Sequence, residues 1–127
     1  MKSKEITICN RPVTLAYCYA TEISYKLLAN EDISELMKEV ETCMKAEQPY
    51  MPDIKKTIFL ILAAASAYYD SKGEELPIDD KTLMYECSPE EMGTSLGVVL
   101  GLRQMFYQVS ADEPKETKGN GKGKKKN

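Results

Sequence analysis

The spacing of apolar residues changes near residue 17 from alternate positions to every third or fourth position, which separates a short β region from a longer helical one. Apolar and polar residues alternate over 5–8 and again over 13–16, on either side of a turn at Asn10-Arg-Pro. This pattern predicts an antiparallel hairpin over about residues 5–16. Two strands alone are marginally stable in water, so we expect the hairpin to pack against the helices that follow.

Five helices are predicted along the rest of the chain from apolar residues at helical spacing. Asp32 and Ser88 each begin a capping-box pattern with a glutamate three positions later, and Gly73 is a typical helix end. The third helix is apolar on all sides from Ile58 to Tyr69, so we expect it at the centre of the fold. The predicted helices span about 17–29, 33–46, 53–71, 79–87 and 89–109.

The first two helices are predicted to be amphipathic, with one face packed on the core and the other in water. The apolar face of the first helix includes Tyr17, Ala20, Ile23, Leu27 and Leu28. The apolar face of the second includes Ile33, Leu36, Met37, Val40, Cys43 and Met44. The fold class is therefore predicted to be α+β and mainly α, with a hairpin and a bundle of four to five helices.

The domain organisation follows from length and composition. A chain of 127 residues with 43% hydrophobic residues is long enough for one compact domain, which we place at residues 1–110. Residues 111–127 are rich in Lys and Gly and have no aliphatic or aromatic residue beyond Ala111, so we expect a disordered basic tail. The N-terminus lacks the apolar core of a signal peptide, and the longest apolar run has 12 residues, which predicts a cytoplasmic protein without a membrane span.

The composition also limits the chemistry that the chain can perform. It contains no histidine, so the commonest general base and metal ligand is missing, and we expect neither an enzyme nor a bound cofactor. The four cysteines are separated by 9, 25 and 44 residues and form no Cys-x-x-Cys pair. We therefore interpret them as small apolar residues of the core and predict no metal site.

The charge is distributed unevenly. Residues 1–111 carry 11 Lys and Arg against 17 Asp and Glu, a net −6, whereas 112–127 carry 6 against 3, a net +3. The lysines could neutralise phosphates, which leaves a small nucleic-acid-associated or regulatory protein as the alternative function. Arginine and interleaved aromatic residues are missing from the tail, so nucleic acid is not our first expectation for a partner.

Six residues are candidates for contact with a partner. Gly93, Gly97 and Gly101 recur at every fourth position of the last helix, which indicates either close packing inside the domain or contact with a second chain. Tyr19, Tyr25 and Tyr50 are the tyrosines that we expect to be exposed, and tyrosine is common at binding surfaces.

Arg103 falls within the apolar arc of the last helix, where a charge requires a partner or a route to water. Glu22, Asp70 and Glu86 are candidate partners for a structural ion pair, and a side chain that extends to solvent is the other interpretation.

The order of these elements resembles the small tail assembly chaperones of long-tailed bacteriophages and prophages. The likeness rests on residue types in the hairpin 6–15, the helix starts at 20–25 and 32–36, the apolar stretch 60–69, and 78–83 with the terminal helix. It covers residues 5 to about 109. The glycine stripe has no counterpart in it.

The resemblance implies a non-catalytic protein of the bacterial cytoplasm. It would coat the long helical tape measure protein and help to recruit tail tube subunits during tail assembly. The resemblance brings no catalytic residues with it, and the glycine stripe leaves self-association open.

Overall fold

The computed structural model describes residues 1–112, and its fold is an antiparallel hairpin followed by five helices. This is the α+β, mainly helical class that the sequence predicts. The bounds are β1 Lys2–Ile8, β2 Arg11–Tyr17, α1 Tyr19–Ala29, α2 Ile33–Lys45, α3 Ile54–Lys72, α4 Asp80–Glu86 and α5 Pro89–Asp112. Helix α5 extends three residues beyond the predicted end, and the predicted disorder of the tail from residue 113 onward lies outside the described residues.

The hairpin is longer than predicted and turns one residue earlier. Ile8 pairs with Arg11, so the loop consists of Cys9 and Asn10 alone, and the predicted turn residues Arg11 and Pro12 belong to β2. Cys9 and Asn10 have φ values of +52° and +64°. Two consecutive left-handed residues are what a type I′ turn requires, and the twist of that turn matches the right-handed twist of the paired strands.

Helix α3 lies at the centre, as predicted, and packs against β2, α1, α4 and α5. Its middle is buried on several sides, because leucine, isoleucine and a run of three alanines allow neighbouring elements to approach closely. The hairpin packs mainly through β2, in which Val13, Leu15 and Tyr17 are fully buried, whereas β1 is largely exposed. The marginal sheet is thus supported by α3 and α5.

The predicted docking face of α1 is wrong. Tyr17 belongs to β2, and Ile23 and Leu27 are 61% and 80% exposed, whereas Thr21 and Tyr25 are fully buried. The Thr21 hydroxyl donates to the Ala16 carbonyl at 3.0 Å. It also accepts from the backbone N–H of residue 18 at 3.2 Å. Burial of this polar side chain is therefore compensated by hydrogen bonds, and the apolar side chains of α1 face outward.

The helix ends mostly follow the predicted capping. Gly73 ends α3 in the left-handed conformation, and Ser88 and Glu91 form the predicted capping box. At the start of α3, where no cap is predicted, Asp53 Oδ1 accepts from the Lys56 backbone N–H at 3.0 Å. The capping box predicted at Asp32 does not form, since its carboxylate instead pairs with Lys26 at 3.0 Å. None of the described helices combines the length and apolar content that crossing a membrane requires.

Candidate helix-binding groove

A groove runs between α2 and α5, and we call it the α2–α5 groove. Its wider part, of about 870 Å³, is lined by Met37 and Met44 of α2 and by residues of α5 from Leu100 to Gln108. A narrower part of about 270 Å³ continues beneath the segment 49–52. The two parts share Val40, Met44 and Leu100, so they form one continuous surface.

The groove arises because α2 packs chiefly on α1, while α5 packs on α3 and the hairpin. The inner face of α2 is buried through Leu36, Val40 and Cys43, as the sequence predicts. Met44, on the edge of the same stripe, is 65% exposed. The apolar stripe of α2 is therefore wider than the core can cover, and its uncovered edge becomes a wall of the groove.

Methionine is concentrated on this side of the molecule. Met37, Met44 and Met51 line the α2–α5 groove. Met51 is shared with a second hollow of about 470 Å³ that also contains Met84 and Met92. Five of the seven methionines of the chain thus lie along one connected apolar surface. Methionine is flexible and polarisable, and surfaces rich in it accommodate varied apolar partners.

The connector between α2 and α3 closes one end of the groove. The Tyr50 backbone N–H donates to the Cys43 carbonyl at 3.4 Å, which ties the connector to the end of α2. The Tyr50 side chain remains 58% exposed and lines the narrow part of the groove with Pro49 and Met51. An exposed tyrosine beside a concave apolar surface is a typical anchor for a protein partner.

Arg103 lies in the wider part of the groove, and its predicted ion pair is not formed within the described residues. Its guanidinium lies 5.0 Å from the centre of the Tyr107 ring, a cation–π arrangement. Its Nε is buried and has no hydrogen-bond partner among residues 1–112. The groove thus presents, beside an apolar floor, a cation that has no ion-pair partner among the described residues.

Tyr107, which contacts the Arg103 guanidinium, is held in place by hydrogen bonding to Glu22. The hydroxyl groups of Tyr17 and Tyr107 both donate to Glu22, which joins β2 and α5 to α1. Burial, reinforced by this hydrogen bond, raises the pKa of Tyr107 to about 12. Tyr107 is therefore a neutral donor at physiological pH, and its ring is held in place under Arg103.

The three candidate tyrosines differ in exposure and in surroundings. Tyr50 lines the α2–α5 groove, and Tyr19 is exposed on α1, where its ring meets Phe106 edge-on at 5.1 Å. The prediction for Tyr25 is wrong: it is fully buried, and its hydroxyl donates to Glu31 at 2.7 Å. A carboxylate six residues further along satisfies the phenol, so the polar tip of Tyr25 does not require water.

The three glycines of α5 lie on two different sides of the helix. A Cβ on Gly93 would lie 3.8 Å from the Met51 methyl group, so this glycine belongs to the groove. For Gly97 and Gly101 the interpretation of close packing inside the domain is wrong, because a Cβ on either would meet nothing within 4 Å among the described residues. Both are exposed on another side of α5, near Lys4. Contact with a second chain remains a prediction.

Sequence reasoning missed Met37, Met44 and Met51 as groove residues. The signal was present in the composition, since seven methionines in 127 residues is a high count, and two of these three lie on the stripe of α2. Periodicity predicted that this stripe was buried, without indicating how much of it the rest of the chain would cover.

No protein-family model, curated protein or solved structure matches this chain. The function must therefore be argued from the groove and from the pattern of the sequence.

Proposed function

We propose that this protein is a non-catalytic chaperone that holds an amphipathic helix of its client in the α2–α5 groove. The resemblance of the sequence to phage tail assembly chaperones suggests the client, the tape measure protein of a long-tailed phage or prophage, in the cytoplasm of the bacterial host. The observation that carries the proposal is the open, methionine-lined apolar groove between two helices.

The dimensions of the groove suit a helix. Residues 93–108 of α5 run along it, and at 1.5 Å per residue this segment is about 22 Å long. A client helix of about 15 residues would match that length. Such a helix would place apolar side chains at positions i, i+3, i+4 and i+7 against Val40, Leu96 and Leu100. Flexible methionine side chains could adapt to successive client segments, as a protein that coats a long helical partner requires.

The charge at the wider end favours one kind of client helix. Arg103 lines that end and forms no ion pair among residues 1–112, and a client carboxylate there would pair with its guanidinium. A helix with an apolar stripe and an Asp or Glu near one end therefore fits better than a basic helix. The apolar floor of the groove disfavours nucleic acid there, because it offers little to a phosphate backbone.

Recruitment of tail tube subunits requires a surface that stays free when the groove is filled. The outer face of α1, with Tyr19, Ile23 and Leu27 exposed, lies outside the groove. We assign the tail tube contact to this face. The assignment rests on the resemblance for the identity of the subunit and on the exposed apolar side chains for the place.

The test is co-expression of the full chain with the tape measure protein of the phage or prophage that encodes it, followed by measurement of client solubility and co-purification. Tyr50→Ser is expected to weaken client binding at least about tenfold, because an exposed aromatic anchor is removed. The matched control is Tyr85→Ser, which removes an 83% exposed tyrosine of α4 outside the groove and is expected to bind as the wild type does. Leu27→Glu is expected to retain the tape measure protein and to lose the tail tube subunit.

Two results would contradict the proposal at different levels. If the wild-type chain neither co-purifies with the long protein nor improves its solubility, the proposed client is wrong. If it binds but Tyr50→Ser and Tyr85→Ser behave alike, the client is correct and the groove is wrong. DNA binding that weakens with salt and disappears on removal of residues 112–127 would favour the alternative function.

A further inference from the structure

We propose that Cys9, Cys87 and Glu91 form a binding site for a thiophilic divalent cation such as Zn²⁺. The two thiol sulfurs and a carboxylate oxygen of Glu91 all lie within 4.8 Å of one another. The three residues come from the hairpin turn, the α4–α5 junction and the first turn of α5. None of the three residues lines the α2–α5 groove, and Cys87 borders the adjoining hollow. The site does not depend on the proposed chaperone function.

The separation of the three ligand atoms suits tetrahedral coordination. With Zn–S bonds of ~2.3 Å, two thiolates on one Zn²⁺ lie about 3.8 Å apart. Two thiolates and a carboxylate are ligands that Zn²⁺ accepts, and water can complete the coordination where the protein supplies three groups. Both cysteines are partly exposed, so an ion and a water molecule can reach them from solvent.

The carboxylate of Glu91 is already oriented. Its Oε2 accepts from the Cys9 backbone N–H at 2.9 Å, and its Oε1 accepts from the Ser88 backbone N–H at 3.2 Å. These hydrogen bonds engage both oxygens of the carboxylate and fix its orientation. A carboxylate oxygen has two lone-pair sites, so each oxygen can bind a cation and keep its N–H partner. The N–H groups thus act as outer-shell partners that hold a ligand in place.

The position of Cys9 is fixed by the turn. Its φ of +52° belongs to the left-handed region that the two-residue hairpin loop requires. Its backbone N–H also donates to Glu91 Oε2 at 2.9 Å, which ties the turn to the start of α5. A residue whose backbone is held in this way keeps its sulfur near Cys87 with little further ordering, which lowers the entropic cost of binding an ion.

The charges around the site are compatible with a bound dication. The carboxylates of Glu91 and Glu86 lie near Cys9, and their negative charge favours a cation there. Binding of M²⁺ would displace two protons and form two metal–sulfur bonds, with no change in oxidation state. The resulting group of two thiolates, Glu91 and M²⁺ carries one net negative charge, and Arg11 is the nearby cation, 3.7 Å from Glu86.

The test is a titration of the reduced, chelator-treated full chain with Co²⁺, whose absorption spectrum reports tetrahedral thiolate coordination. The wild type is expected to bind one ion per chain, and Zn²⁺ should displace it. Cys87→Ser is expected to weaken binding by more than the roughly 100-fold that loss of an outer-shell partner can cost. Cys18→Ser removes a partly exposed cysteine outside the site and is expected to bind as the wild type does.

Glu91→Gln keeps the proposal testable if Cys87→Ser fails to fold. Glutamine keeps one oxygen for the Ser88 backbone N–H and gives up the acceptor for the Cys9 N–H, so the variant should fold with some loss of stability. The loss of the charged ligand should weaken Co²⁺ binding at least about tenfold. The proposal is overturned if the wild type shows no tetrahedral thiolate spectrum, or if Cys87→Ser folds and binds equally well. It is also overturned if the reduced chain binds no ion while mild oxidation joins Cys9 to Cys87.

Discussion

Helices α1 and α2 carry similar amphipathic patterns in the sequence, yet α2 buries its apolar stripe and α1 exposes most of its own. In α2 the apolar stripe is buried through Leu36, Val40 and Cys43, and only its edge at Met44 is exposed. In α1 the apolar residues Ile23 and Leu27 face outward, and the inner positions are Thr21 and Tyr25.

The two helices bury different faces because the polar groups of Thr21 and Tyr25 in α1 find hydrogen-bond partners inside the protein. Thr21 bonds to the backbone at the end of β2, and Tyr25 bonds to Glu31, so both can be buried without an unpaired group. The short link from β2 to α1 leaves little freedom in how α1 rotates, and these bonds place Thr21 and Tyr25 inward. Apolar residues displaced from the core in this way form exposed surfaces, which a partner can cover.

The largest expected effect separates the two faces of α1. Tyr25→Ala removes a fully buried ring and is expected to lower the free energy of unfolding by about 3–5 kcal/mol. Leu27→Ala, at an 80% exposed position, is expected to change it by less than about 0.5 kcal/mol. Urea unfolding followed by circular dichroism measures both. Equal losses in the two variants would show that α1 is rotated differently from the structure.

A smaller effect tests the hydrogen bonds that orient α1. Thr21→Val keeps the shape of the side chain but leaves the Ala16 carbonyl and an N–H of the link unpaired, so we expect a loss of about 1–3 kcal/mol in unfolding free energy. Thr42→Val is the matched control in α2, where an exposed hydroxyl donates to the Lys38 carbonyl. Its expected change is within about 0.5 kcal/mol. If the two substitutions cost the same in urea unfolding, the hydrogen bonds do not decide which face of α1 is buried.

The smallest effect extends the comparison to the exposed side of α5. Gly97→Ala is expected to stabilise the chain by up to about 1 kcal/mol, because a Cβ there meets nothing within 4 Å and alanine is the better helix former. Gly73→Ala is the contrasting control: Gly73 ends α3 at φ +67°, where a side chain is strained, so we expect a loss of about 1 kcal/mol. Thermal unfolding compares the two. Destabilisation by Gly97→Ala at high protein concentration only would instead indicate that a second chain packs there.

Much of the local structure was predictable, because it depends on residues close in sequence. Three local signals each identified an element near its observed place: the helix-end residues Gly73 and Ser88, the apolar length of α3, and the alternation of the hairpin strands. The predicted position of the hairpin turn was wrong, although a turn too depends on residues close in sequence. Proline at position 12 suggested the turn, whereas the left-handed pair Cys9 and Asn10 supplies the twist that the strands require.

The candidate sites were less predictable, because they join residues far apart in the chain. The α2–α5 groove depends on the distance between two helices that sequence periodicity does not specify. Cys9 and Cys87 were interpreted as separate core residues from their spacing, yet the fold brings the hairpin turn against the start of α5, 82 residues away. Tyr25 was expected to be exposed because the sequence gives no sign of its contact with Glu31.

The sequence by itself determined the class of fold, the helix boundaries to within a few residues, and the central position of α3, because capping, turn and burial preferences act over a few neighbouring residues. The tertiary structure alone decided which apolar faces the chain covers. A hydrophobic stripe is equally visible in the sequence whether it packs on the core, as in α2, or stays open, as in α1. Only the packing of distant elements, and the hydrogen bonds that they complete, distinguishes the two cases.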